Sequence, residues 1–231
     1  MKKFYLCLLA IIAITSNVSA RENKKQEKDE STLGIEQVDL DRAIWKKRAT
    51  YFNYPSLVFS TLNDKTSNLK YKGFVGVSLS WGRTFYLHKK TISNKMKFGL
   101  DWTWFDFNGV FIFPEMRKDD IFESESADLH YQFGMQIGPS ITFNPVNHLK
   151  ISTYFRVTPS LSMIKLNEID YAGYYTSYNT GCSVAWKVIS FGAEWRTGSG
   201  NLNQYNDYGD KPTRKNKFAA NSLCLYIGFR F

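Results

Sequence analysis

From about residue 54 to the last residue, apolar and polar positions alternate in runs separated by turns. The longest run covers residues 129–143. Leu129, Tyr131, Phe133, Met135, Ile137, Pro139, Ile141 and Phe143 share one face, and His130, Gln132, Gly134, Gln136, Gly138, Ser140 and Thr142 share the other. Side chains on a strand alternate between its faces, so this period of two predicts a strand with one apolar side. Further strands are predicted at 54–61, 75–81, 96–104, 149–157, 174–186 and 189–195. A closing strand starts near 219, with Leu223, Leu225, Ile227, Phe229 and Phe231 on one side and Ser222, Cys224, Tyr226, Gly228 and Arg230 on the other. That makes about eight strands. Residues 144–148 and 187–188 leave room only for tight turns, whereas 108–128, 159–172 and 197–218 read as long links. Short and long links alternate, as in an up-and-down barrel with both ends on one side. Residues 82–95 fall where a short turn is expected, so the flanking strands should extend into that segment.

Alternation alone does not say which face meets water; the chemistry of the polar face does. In the 129–143 run that face carries Gln, Gly, Ser, Thr and one His, with no Lys, Asp or Glu. Small neutral groups fit a narrow lumen, and a barrel of about eight strands has just enough room for side chains to fill it. The bulky Tyr, Phe, Met, Ile and Trp face is then turned to lipid, and closure satisfies the backbone amides that hydrocarbon leaves without water. Tyr131, Phe143, Trp186 and Trp195 are expected in aromatic girdles. Tyr171, Tyr174, Tyr175 and Tyr178 are expected to form another girdle near an external end. Lys97, Asp101, Lys150, Arg156, Glu194, Arg196 and Arg230 fall on the small-residue face. Unpaired buried charges are expensive, so Asp101 and Glu194 are expected to meet Arg or Lys across the lumen and plug it.

The amino-terminal segment has a different texture. Lys2 and Lys3, an apolar run over 4–14 and the small residues Val18, Ser19 and Ala20 have the layout of a secretory signal peptide, cleaved after Ala20. The apolar run is shorter than the ~20 residues a helical span needs. Residues 21–50 are expected to be a disordered or partly helical periplasmic leader, and 51–231 the barrel domain. The formal net charge is +9 and falls to +7 without Lys2 and Lys3. In an exported protein this favours lipopolysaccharide phosphates over nucleic acid as the anionic partner. Of the three cysteines, Cys182 and Cys224 lie beyond the signal segment, on opposite faces by parity, so both are expected as free thiols.

No catalytic, cofactor or metal motif is expected. His130 lies near the outer rim with Glu123, Ser124, Glu125 and Ser126 nearby in sequence, but no His and Ser fall on one face at close strand spacing. An ordinary hydrogen-bonded histidine is the expectation, with lipid A acyl-ester hydrolysis as the alternative. Glu115, Asp119, Asp120, Glu123, Glu125 and Asp128 form an acidic loop without the ordered spacing of a calcium site. Lys211, Arg214, Lys215 and Lys217 stand close to the closing strand, where they are expected to contact lipopolysaccharide phosphates.

The alternating closing strand ending on Phe231 resembles those of outer-membrane β-barrels, in which the terminal strand is read by the barrel assembly machinery. Residues 54–231 resemble the small outer-membrane-protein-A/X-like barrels of Bacteroidota type. The resemblance implies an all-β, closed antiparallel up-and-down transmembrane barrel in the cell outer membrane. It further implies a structural or surface-interaction role toward lipopolysaccharide or an external protein or glycan. A narrow porin-like channel for small solutes is the alternative.

Overall fold

The computed structural model describes Trp45 and residues 49–231, apart from 68, 89–90, 94, 114–127, 147, 167–168 and 206–213. The expected signal peptide, nearly all of the expected leader, most of the acidic segment and Lys211 therefore lie outside the described residues. Eight strands follow in order: β1 Thr50–Asp64, β2 Leu69–Tyr86, β3 Met96–Phe113, β4 Asp128–Val146, β5 Leu149–Leu166, β6 Ile169–Trp186, β7 Ile189–Tyr205 and β8 Arg214–Arg230. Each pairs antiparallel with its neighbour in sequence, and β8 returns to β1 to close a barrel. Thr50 and Phe231 exchange both backbone hydrogen bonds (3.1 and 2.9 Å) at the seam. The end holding these residues is here the near rim; the far rim is its opposite.

The strands are longer than the sequence predicts, and the links shorter. Of the long link expected over 159–172, all but residues 167–168 lies in strands, with β5 continuing to Leu166 and β6 beginning at Ile169. The 197–218 link shrinks to 206–213, and β3 carries on through Phe113. β2 extends into the 82–95 segment as far as Tyr86, and the nine residues after it hold a small Ile92–Met96 bridge. The reason lies in how polarity changes along these strands. On β8 the outward series Phe229, Ile227, Leu225, Leu223 gives way to Asn221 and Lys217, while the inward series becomes Ala220 and Phe218. A strand whose two faces exchange polarity loses the simple apolar/polar signature, although its pleat and pairing continue.

Bulges on β3 and β1 change which residues face inward. Register on β3 jumps from Thr103↔Gln136 to Asp106↔Gly134, so β3 carries one extra residue at Trp104–Phe105. Asp101 and Asp106 have opposite parity, yet both end inside, 3% exposed each. On β1 the shift between Asn53 and Ser56 leaves Tyr54 and Pro55 outside and brings both flanking polar residues in. A proline there is at home, because a bulge asks no ladder hydrogen bond of it.

The barrel is inside out relative to a water-soluble one. Its outer wall carries Leu57, Phe59, Trp81, Trp102, Trp104, Phe133, Met135, Phe155, Phe191 and Trp195 exposed, while Ser, Thr, Asn, Asp and Arg are buried within. On the outer wall Phe107 stacks on Tyr131 (6.2 Å), and Phe105 meets Phe133 edge-on (5.1 Å).

Candidate functional site

The lumen is filled, in layers. Toward the near rim, Arg230 donates to Ser183 Oγ at 2.8 Å and lies 5.6 Å from the Tyr51 ring. Lys97 Nζ sits 5.5 Å from the Tyr86 ring, and Lys150 is 2% exposed on the same inner wall. At mid-height stands a contiguous ion network. Arg156 donates to Asp101 Oδ2 through Nε (3.1 Å) and Nη2 (2.5 Å), to Gln136 Oε1 through Nη1 (3.0 Å), and faces Glu194 at 3.7 Å. Asp101 also accepts from Thr84 Oγ1 (2.7 Å) and Ser140 Oγ (2.8 Å). Arg196 grips Asp106 with both Nη atoms (2.9 and 3.1 Å) and donates from Nε to Glu194 Oε1 at 2.6 Å. The Arg156–Asp101, Arg156–Glu194 and Arg196–Asp106 pairs join β3, β5 and β7, no two of which are sheet neighbours, so these three are struts across the bore.

Tyrosines complete the layer. The Arg156 guanidinium lies 3.6 Å over the Tyr154 ring, and Tyr154 Oη meets Tyr226 Oη at 3.1 Å. Their rings need notches in the wall. A Cβ at Gly181 would stand 2.6 Å from Tyr154 Oη, and one at Gly192 would run into the Tyr226 ring. Glycine at these two positions is what lets large rings enter so narrow a bore.

Above the network is a small polar cavity lined by Asn108, His130, Ser177, Arg196, Ser222 and neighbours, with space for about one water molecule. Here His130 Nε2 lies 2.9 Å from Ser162 Oγ. The expectation that no histidine and serine share a face is thereby corrected. Ser162 belongs to the stretch read as a loop, and the extension of β5 brings it beside β4. The pair has the contact an activated serine requires, but His130 is 2% and Ser162 0% exposed, leaving no approach for an acyl substrate. Ser124 and Ser126 lie outside the described residues. His88 and His148 stand at the near rim, where His88 Nε2 accepts from Phe98 N–H (3.0 Å) and His148 faces Trp186.

An apolar cap seals the far end. Leu62, Ile112, Ile164, Leu166, Tyr175, Leu202, Phe218 and Ala220 form one buried cluster inside the bore, with Tyr71 and Tyr171 packed against it. Tyr175 is thus corrected from girdle to core: it points inward, 1% exposed, and its Oη accepts from Ala220 N–H at 3.1 Å. Tyr174 and Tyr178 point outward, 59% and 49% exposed. Cys182 is exposed on the wall and Cys224 buried, both as thiols. Among the described residues no group of His, Cys, Asp and Glu has the arrangement of a metal site.

Fold and lumen together define a class: a closed eight-stranded antiparallel barrel with an apolar wall and a packed polar interior. No family model matches the chain, and no curated protein does. Among solved structures it is similar to Neisserial surface protein A (13% identity, 79% of this chain and 97% of that one, TM-score 0.47). It is also similar to the outer membrane protease OmpT of Escherichia coli (9%, 79% and 96%, 0.47) and to Ail, the attachment invasion locus protein of Yersinia pestis (9%, 80% and 99%, 0.38). The assignment of the barrel rests on its own strand pairing.

Proposed function

We propose that this protein is a non-enzymatic outer-membrane β-barrel, inserted with its near rim in the periplasm and its far rim outside. Its role is that of a structural or surface-interaction protein. The observation that carries this reading is the sealed bore: cross-lumen ion pairs at mid-height and an apolar plug beneath the far rim leave no path for solute. Such a barrel works through its outer rim and loops. Its strands have 15 to 19 residues, against about 9–11 for a bilayer crossing, so the far ends stand clear of hydrocarbon. The apolar wall supports membrane insertion, since in water it would expose a patch far larger than soluble monomers carry.

The rival channel reading is tested by conductance in planar bilayers. The packed lumen predicts no discrete current steps from the wild-type protein, whereas reproducible steps would make it a pore. The His130–Ser162 contact is the one observation that favours lipid-modifying chemistry. His130→Ala is expected to leave the lipid A profile of producing cells unchanged; a changed acylation pattern would overturn the non-enzymatic reading.

A further inference from the structure

We infer that the far end of the β7–β8–β1 wall binds the headgroup of a phosphorylated glycolipid, lipopolysaccharide, in the outer leaflet. This rests on the outer-membrane reading above. On these three adjacent strands the outward apolar band stops along one row, Trp195, Leu223 and Phe59, which pair in register. The next outward row is Thr197, Asn221 and Thr61. Here Thr197 Oγ1 donates to Asn221 Oδ1 at 2.6 Å, and Thr61 Oγ1 to the Asn221 carbonyl at 3.4 Å. Beyond that come the exposed Asn201, Lys217, Lys215 and Lys65. The buried side of the same strands turns apolar at the same level, with Leu202, Phe218 and Leu62 in the cap. That exchange of polarity marks where hydrocarbon ends, and headgroups stand directly above it.

The chemistry of the wall follows the chemistry of such a lipid from bottom to top. Aliphatic and aromatic residues meet acyl chains, then amide and hydroxyl groups meet sugar, then ammonium groups meet phosphate. Lys65 and Lys217 flank the seam side by side, Lys65 N–H donating to the Lys217 carbonyl at 2.9 Å. Like charges held opposite each other on a sheet repel unless an anion lies between them. The one described acid at the far ends of these strands is Asp64. It is buried and turned back on its own hairpin, accepting from Thr66 N–H (2.8 Å) and Ser67 Oγ (2.7 Å). Arg214, exposed at the start of β8, adds a further cation to the rim. By contrast β5 and β6 keep Leu161, Met163 and Tyr174 outward near the far rim, so the polar wall belongs to one side of the barrel.

The test uses the protein folded in phosphatidylcholine vesicles, with binding of bis-phosphorylated lipid A compared with dephosphorylated lipid A and inorganic phosphate. The wild type is expected to bind the phosphorylated lipid in a salt-sensitive way. The triple variant Lys65→Gln, Lys215→Gln, Lys217→Gln should bind it at least about tenfold more weakly while keeping the heat-dependent gel shift of the folded barrel. Equal binding by the variant, or equal binding of dephosphorylated lipid A, overturns the inference. Full competition by millimolar inorganic phosphate would assign the cations to a free anion and overturn the lipid. Failure of the wild type to fold into vesicles would instead remove the membrane reading beneath it.

Discussion

Arg156 is the residue on which the lumen turns. It is 2% exposed, forked onto Asp101, within reach of Glu194 and stacked on Tyr154. A buried ion pair adds little net stability over a well-packed apolar pair of the same size, because desolvation offsets much of the attraction. Removing one partner is different, since it strands the other charge in the bore. Arg156→Met therefore leaves Asp101 without its guanidinium and is expected to cost about 3–5 kcal/mol. The measurement is the midpoint of urea unfolding in vesicles, where a shift of less than about 1 kcal/mol would mean the network is not the strut described here. Asp106 shows what single-residue reading missed. It is as buried as Asp101 and held bidentately by Arg196, but its parity is opposite, and only the bulge at Trp104–Phe105 turns it inward.

At the scale of the strand, legibility followed the constancy of the pleat. The middle of β4 and the near half of β8 keep one apolar and one polar face without interruption, and both were readable residue by residue. Legibility failed where a face changed character. The extra residue in β3 ended the apparent strand at Trp104, and the polarity exchange beyond Leu223 and Trp195 made two strand ends look like loop. The sequence hides the His130–Ser162 contact for the same reason, since Ser162 lies in a segment with the texture of a link. Native cysteines test the facing of the strands without any mutation. Cys182 opens on the outer wall of β6 and Cys224 is buried in β8 beside Ser78 Oγ (3.3 Å). A lipid-soluble maleimide is expected to label Cys182 in the folded protein and to reach Cys224 only after unfolding. Preferential labelling of Cys224 would mean the faces are reversed.

At the largest scale, the barrel joins two kinds of β-barrel wall end to end. The near part is apolar outside and polar within, as hydrocarbon requires. The far part, over β7, β8 and β1, is polar outside and closed on an apolar core, as water requires. Strand length makes this necessary. About 18 residues at ~3.3 Å each, tilted by ~40°, rise well above an apolar band of ~25 Å. The far segment is thus a stub that closes the bore on its apolar cluster above the apolar band. The most direct measurement is electrophoretic mobility of the detergent-folded protein, boiled against unboiled. A closed membrane barrel predicts a compact band that shifts to the unfolded position only on heating. A single unshifted band from protein that stays soluble without detergent would contradict the membrane barrel.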